Sequence, residues 1–420
     1  MRVFKFGGAS VKHAEAVENV GKIITQFAAN EKLVVVVSAM GKMTNAFENV
    51  LHLYRNGKDY HDAFEVIKSF HQEIIEQLFP NKSVVARKEI ADLFEEFKKE
   101  LNQPIGAYGF DYDRIVSFGE MLSTRIIHHW LKEYGGHNSF WHDTRNLVIT
   151  NNHYRRATVN WEVTKDRIVS EIGSDGVHMV QGFIGSDGKG NTTTLGREGS
   201  DYTASVFAHC LNADDVTIWK DVPGILNGDP KVFDNTVQLE QISYREAIEL
   251  AYYGASVIHP KTIQPVQSMN IPLYVRSFVD SDLEPTVIGK GSSLSPKVPC
   301  YIRKVNQVLI TVASPDLAFV VENHLSKIYE VFHRNGVTVN MMQNSAISTS
   351  FAVNQDLQIL PQVIKELSNE FEVKFNKDLT LFTIRHHSPD VINALSLGKK
   401  VYLEQITRET YQMAVANEIS

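Results

Sequence analysis

The sequence predicts an α/β fold: a mainly parallel sheet sandwiched by helices, followed by smaller modules of βαββαβ order. Three observations carry that expectation. Short apolar strands alternate with amphipathic helices up to about residue 280, the pattern of a parallel sheet with helices on its faces. Two of those strands run straight into glycine-rich turns that open helices, at residues 5–10 and 192–201. After a stretch rich in Ser, Gly and Pro at 280–299, which reads as a linker, the order becomes strand, helix, strand, strand, helix, strand over 305–375.

Taken in order, the strand at 2–6 leads into KFGGAS (5–10). From Ala14 onward Val17, Val20, Ile24 and Phe27 recur at spacings of three and four, the stripe of a helix laid on a sheet. Further strands are expected at 33–37, 147–149, 177–184, 215–219 and 272–276. Residues 43–134 read as helices, with apolar residues at helical spacing over 64–79 and 90–101, so a substrate-side helical subdomain is expected there. In the later region a helix over 318–334 should end in a left-handed cap at Asn335 and Gly336. Strands at 337–343 and 347–353 and a helix at 360–369 should follow.

Open α/β sheets bind ligands beyond the carboxyl ends of their strands, which is where both glycine turns fall. The second, within QGFIGSDGKGNTTTLGREGSDYTA (181–204), looks built to hold an anion. Its glycines let the backbone approach a ligand. The hydroxyls of Thr192, Thr193, Thr194 and Ser200 and the free N–H groups at Ser200 and Asp201 can bond phosphate or carboxylate oxygens. Residues 186–191 read as a plain glycine hairpin. Lys5 lies in an otherwise apolar strand beside two glycines. An unpaired buried ammonium is costly, so Lys5 is expected to meet a phosphate.

Composition sets bounds. The chain has 420 residues, 43% hydrophobic and 22% charged, with a formal net charge of −7, enough for more than one domain and no footprint for nucleic acid. Cys210 and Cys300 are the two cysteines, so neither a disulfide framework nor a CxxC metal site is expected. The sequence has no Walker GxxxxGK[ST] loop, no kinase HRD or DFG triplet and no GxGxxG run. It has no apolar run of about 18 residues, and MRVFKFGG reads as a strand and turn rather than a leader, so no membrane partner and a cytoplasmic location are expected. The pairs His128 with His129 and His386 with His387 lack ligand spacing and read as solvated or structural.

Five segments occur in order: KFGGAS, VSFGEMLST (116–124), TTTLGREGSDYTA (192–204), WKDVPGILNGDPK (219–231) and YGASVIHPKTI (253–263). Together they resemble the signatures of the aspartate kinases of the amino-acid kinase family. Ala9 departs from the family's threonine, Glu198 stands where a glycine is more usual, and Lys220, Leu226 and Ser256 replace threonine, tyrosine and lysine. The resemblance implies transfer of the γ-phosphoryl of ATP to the β-carboxylate of L-aspartate, giving 4-phospho-L-aspartate at the entry to lysine, threonine and methionine synthesis. A side-chain carboxylate is already ionised at neutral pH, so no catalytic base is required. Bringing two anions together instead calls for cationic groups, Mg²⁺ on the phosphates and fixed geometry.

On this resemblance Lys5 and Asp201 are catalytic. Ser38, Thr44, Glu120, Phe183, Arg197 and Ser200 would bind aspartate, with Glu120 on its ammonium and Arg197 on its α-carboxylate. For Glu120 the alternative is a helix glutamate facing solvent, and for Asp201 a helix cap; Asp201 is expected both to cap and to orient Lys5. Lys5, Gly7, Gly8, Ser10, Lys220, Asp221, Leu226, Lys231 and Ser256 would bind the nucleotide, and no protein side chain would ligate the metal. With lysine missing at 256, Lys261 or Lys220 would substitute, or ATP would bind more weakly.

The implied domains are a catalytic domain at 1–296, with its helical subdomain at about 43–134, an ACT domain at 297–377 and a shortened ACT-like copy at 378–420. Open ACT sheet edges suggest a homodimer or tetramer. Asn323, where a glycine would be typical, and Asn340, Asn344 and Ser345 are candidate contacts for a lysine or threonine effector. Two other readings stand beside this one, an amino-acid-sensing regulatory protein that keeps the fold and a kinase for a different acidic amino acid.

Overall fold

The computed structural model describes residues 1–28, 31–80, 83–173, 175–255, 258–291, 293–315 and 322–416. The chain divides into two compact units: Met1–Ile225, Gln238–Ile248 and Val257–Ser295 form the first, and Leu226–Val237, Glu249–Ser256 and Pro296–Ser420 the second. The second unit therefore takes in two segments that precede the linker.

In the first unit the strands are β1 (Arg2–Phe6), β2 (Leu33–Val37), β3 (Ser139–His142), β4 (Val177–Gln181), β5 (Ile184–Ser186), β6 (Thr192–Thr194), β7 (Asp215–Lys220), β8 (Gln241–Ser243), β9 (Leu273–Ser277) and β10 (Thr286–Gly289). Eight of them make one sheet in the order β3-β4-β2-β1-β7-β9-β10-β8, parallel except where β10 meets β9, while β5 and β6 form a separate hairpin. The central strands are near-continuous apolar runs because helices cover both faces; every residue of β2 is buried. The helix Gly199–Leu211 packs on β1, β2 and β7, and the helix Phe118–Glu133 on β3 and β4. The block at 43–134 is helical as expected: Met43–Arg55, His61–Leu78, Val84–Leu101, Tyr108–Val116 and Phe118–Glu133.

Two expected strands are placed differently. Residues 144–147 form a short helix, and Ile149 makes only an isolated bridge to Ser186. The run Leu147, Val148 and Ile149 is apolar because it is buried, but it is buried in a connection. The strand at that edge of the sheet is β3, SFWH, half-exposed over three of its four residues, so no apolar run marks it. The expected strand at 177–184 breaks after Gln181, where Phe183 takes a left-handed φ of 69° and redirects the chain into β5.

In the second unit β11 (Cys300–Ala313), β12 (Val339–Asn344), β13 (Ser348–Asn354), β14 (Glu372–Arg385), β15 (Val401–Ile406) and β16 (Thr410–Ala416) form one antiparallel sheet in the order β12-β13-β11-β14-β16-β15. The helices Glu322–Arg334 and Leu360–Leu367 connect the first βαββαβ set, and Pro389–Ser396 belongs to the second. Gly336 has the expected left-handed φ, 69°. The strands β11 and β14 run through both sets: Ala313 pairs with Glu372 at one end and Cys300 with Arg385 at the other. The position 377/378, read from sequence as a boundary, therefore lies inside β14. The ladder shifts register around Lys304 and Gln307, where Asn306 and Asp378 are left-handed. One sheet serves two modules, and each borrows half of the two long strands.

Candidate active site

The sheet's parallel core delivers the first glycine turn to its carboxyl edge. Lys5 in β1 sits in register between Val36 of β2 and Ile218 of β7 and is 8% exposed. Its Nζ lies 2.6 Å from Oδ1 of Asp201, and Lys220, the last residue of β7, places its Nζ 3.6 Å from Oδ2 of the same carboxylate. Burial alone would raise the pKa of Asp201; the two ammonium groups outweigh it and hold the carboxyl below its ordinary value. The capping role is corrected: the N-cap of this helix is Glu198, without a side-chain cap bond, and Asp201 turns its oxygens to the lysines instead.

After β1, residues Gly8–Val11 form a 3₁₀ turn in which the Ser10 N–H donates to the Gly7 carbonyl. A Cβ on Gly8 would stand 2.6 Å from the Gly41 carbonyl oxygen and 2.7 Å from that of Ala39. Gly8→Ala should therefore lower stability by about 1–3 kcal/mol, read as a fall in the denaturant midpoint.

Glu120, two residues into its helix, is 2% exposed, which disposes of the solvent-facing alternative. Its Oε1 accepts the Ala39 N–H at 3.2 Å, while Oε2 has no partner. Burial pushes its carboxyl up to about 8, with the Ala39 bond and the charge of Lys5 pulling the other way. Ser38 follows β2, and Thr44 opens the helix Met43–Arg55.

Lys5, Ser38, Thr44, Glu120, Phe183, Arg197, Ser200, Asp201 and Lys220 all line one cleft of about 820 Å³. All six expected aspartate-binding residues are thus brought together with the lysine–aspartate cluster. Glu198 also lines it, with a left-handed φ of 52°. That backbone suits glycine; here the Glu198 carboxylate accepts the His259 N–H at 2.8 Å, which helps hold the turn.

Sequence reasoning missed Tyr112, Tyr154, Arg155 and Arg156, which complete the cleft wall. The signal available was the doubled arginine of HYRRATV, which stands in a loop with no periodicity around it. Asp113, buried, organises that loop: it accepts the Arg155 N–H at 3.0 Å, the Thr194 N–H at 2.8 Å and the Thr194 hydroxyl at 2.7 Å. Burial raises its carboxyl to about 6 against those bonds.

Apart from Lys5 and Lys220, none of the described nucleotide candidates is among the residues that line the cleft. Gly7 lies beside the Lys5 ammonium, and Asp221 is exposed just beyond β7. Leu226 and Lys231 fall in the second unit, with Lys231 exposed and its N–H on the Asp229 carboxylate. Ser256 lies outside the described residues. Lys261 donates to the Leu195 carbonyl at 3.0 Å and sits 4.4 Å from the Tyr202 ring centroid, so of the two substitutes considered, Lys220 is the one in the cleft. His128 and His129 are buried and bond Ser139 and Glu89, a structural role.

In the second unit, Asn340 accepts from Lys304 and donates to Gln307 and Asn354, Asn344 accepts the Thr349 hydroxyl and Ser345 bonds Ser348. These three spend side-chain capacity on the sheet itself. Asn323 is exposed in the first turn of the helix Glu322–Arg334.

Comparison with known proteins agrees with this geometry. The amino acid kinase family profile matches residues 1–277. The lysine-sensitive aspartokinase 3 of Escherichia coli (strain K12) is 30% identical over 413 residues, covering 95% of this chain and 90% of that protein. The chloroplastic aspartokinase 1 of Arabidopsis thaliana is 29% identical, covering 91% and 70%. The crystal structure of E. coli aspartokinase III with aspartate and ADP superposes with a TM-score of 0.83 at 26% identity, covering 100% of this chain and 96% of that one. The chain belongs to the amino acid kinase family, among its aspartokinases.

Proposed function

We propose that the cleft transfers the γ-phosphoryl of ATP to the β-carboxylate of L-aspartate, yielding 4-phospho-L-aspartate and ADP. The observation that carries this reading is the meeting, in one cleft, of a buried Lys5–Asp201–Lys220 cluster with the buried, half-unpaired carboxylate of Glu120. Lys5 and Lys220 both face the Asp201 carboxylate, so two ammonium groups stand on the cleft wall where a phosphate would meet them. Glu120 Oε2 has no protein partner, and the α-ammonium of aspartate would supply one, favouring the carboxylate form. Arg197 offers two parallel N–H bonds to the α-carboxylate.

With the amino acid held at that end, its β-carboxylate, already an anion, attacks the γ-phosphorus. An oxygen–phosphorus bond forms, the bond to the β–γ bridging oxygen breaks, and the electron pair leaves with ADP. Lys5 opposes the charge carried by the transferring group, and Asp201 keeps the ammonium aimed. No side chain need take a proton from the nucleophile. Among the described residues no cluster of three acidic, histidine or cysteine side chains could cage a cation, and both oxygens of Asp201 face lysines. Mg²⁺ would enter on the triphosphate, held chiefly by phosphate oxygens and water, and would supply further neutralisation there.

Hydroxylamine trapping of the acyl phosphate, with aspartate, glutamate and N-acetylglutamate compared side by side, tests the reading. Aspartate should give the hydroxamate. Silence with every acid would favour a regulatory protein that keeps the fold. For Lys220, replacement by threonine should raise the KM for ATP about tenfold, the loss of one charge-assisted bond, while the KM for aspartate changes little; an unchanged ATP KM would remove it from the phosphate site. Effector control by lysine or threonine through the second unit, and assembly through its sheets, belong to the same proposal. Inhibition by either amino acid at millimolar levels is the check on control.

A further inference from the structure

Among the described residues nine non-glycine positions have a left-handed backbone, with φ between 48° and 69°. Six are Asn, Asp or His, types that enter this region readily. The other three, Arg155, Phe183 and Glu198, all line the same cleft. Strained backbone of this kind collects at ligand sites. Phe183 redirects the chain between β4 and β5, and Glu198 is tied to His259. Among the described residues the Arg155 side chain makes no such bond to backbone; it packs instead on two tyrosine rings.

What its backbone and neighbours do is hold it still. The Asp113 carboxylate grips the Arg155 N–H with both oxygens at 3.0 Å. The guanidinium lies over the rings of Tyr108 and Tyr112, at 5.1 and 4.8 Å from their centroids, cation–π contacts that help fix its position. Among the described residues no carboxylate lies at ion-pair distance from it. A Cβ on Gly196 would stand 3.1 Å from the Arg155 carbonyl oxygen, so Arg155 and Arg197 flank one backbone contact on the same rim. A fixed, exposed cation beside the arginine already assigned to a carboxylate is an arrangement for gripping that carboxylate twice.

We propose that Arg155 is a second anchor for the substrate's α-carboxylate, working beside Arg197 and setting the preference for an acceptor that carries one. The inference rests on the aspartate kinase reading above. Because this end of the substrate is remote from the transferring phosphoryl, Arg155 binds ground state and transition state alike and acts on KM more than on kcat.

Arg155→Gly is the informative variant, since glycine takes the left-handed backbone without cost and the fold is expected to keep or raise its Tm. Its KM for aspartate should rise about ten- to a hundredfold, with kcat and the KM for ATP within about twofold of wild type; Arg155→Lys should recover part of the loss. The decisive comparison uses 3-aminopropanoate, which is aspartate without its α-carboxylate. Wild type and Arg155→Gly should use it with equal kcat/KM. An unchanged aspartate KM, an equal penalty with both acceptors, or a rise confined to the KM for ATP would each overturn the proposal. If wild type itself fails to phosphorylate aspartate, it is the underlying reading that has failed.

Discussion

Replacing Lys5 by methionine will lower kcat by about 10³, because the group removed opposes charge on the transferring phosphoryl and is itself largely shielded from water, 8% exposed. The fold should survive the change. Breaking a buried ion pair by deleting one partner generally costs about 3–5 kcal/mol, but Asp201 keeps Lys220 at 3.6 Å, so the measured loss should fall below that range. A double variant, Lys5→Met with Asp201→Asn, separates the two effects. It removes the stranded carboxylate and should recover Tm, yet it should remain as inactive as the single variant. Turnover by hydroxylamine trapping and thermal melts of the three proteins supply the comparison. A Lys5→Met enzyme within tenfold of wild type would mean that another cation carries the phosphoryl group. A double variant that recovered activity along with Tm would mean that Lys5 matters only as a partner for Asp201.

Much of this cleft could be read from the chain because its chemistry sits at the ends of strongly patterned elements. A lysine between apolar residues and two glycines has few structural uses, and Lys5 is found where that pattern points. Glu120 was assigned through its signature segment, and it is buried among Val116, Met121, Leu122 and Ile126 of that same apolar stretch. Arg155 and Arg156 were not legible, because nothing in a loop sequence says that Asp113, some forty residues earlier, will fold against its amide. The edge strand β3 was missed since half-exposed residues need no apolar alternation. In the second unit the two modules were visible as element order, but strand sharing was not. Pairing of Cys300 with Arg385 joins residues far apart in sequence, and local pattern carries no information about it. Asp201 is instructive because half of its reading failed: it faces Lys5 as expected, but its position in the first helical turn also suggested a cap, while two lysines from different strands decided where its oxygens went.

Glu120→Gln should raise the KM for aspartate about a hundredfold, the loss of a charge-assisted bond to the ammonium in a buried setting, and it should also abolish a pH dependence that wild type shows. Burial places the Glu120 carboxyl at about 8 against an ordinary 4.5. Near neutral pH the empty cleft therefore favours the protonated form of Glu120, and the arriving ammonium favours the carboxylate, so binding should release a proton. Calorimetry in buffers of different ionisation enthalpy measures that release, and the affinity for aspartate should strengthen as pH rises towards 8, then level off. Stability runs the other way. A carboxyl whose pKa is raised by folding contributes fully below about 4.5, and that contribution is lost as pH rises through about 8. At about 1.4 kcal/mol per pH unit, the loss is on the order of 5 kcal/mol in the ligand-free protein. Glutamine carries no such penalty, so Glu120→Gln should melt above wild type at pH 8.5 while binding aspartate far less well. This opposition, better folded and worse at binding, is what separates a carboxylate kept for a ligand from one kept for the fold. Proton release near zero, with an aspartate affinity that is flat between pH 6 and 8, would show that the ammonium is held elsewhere.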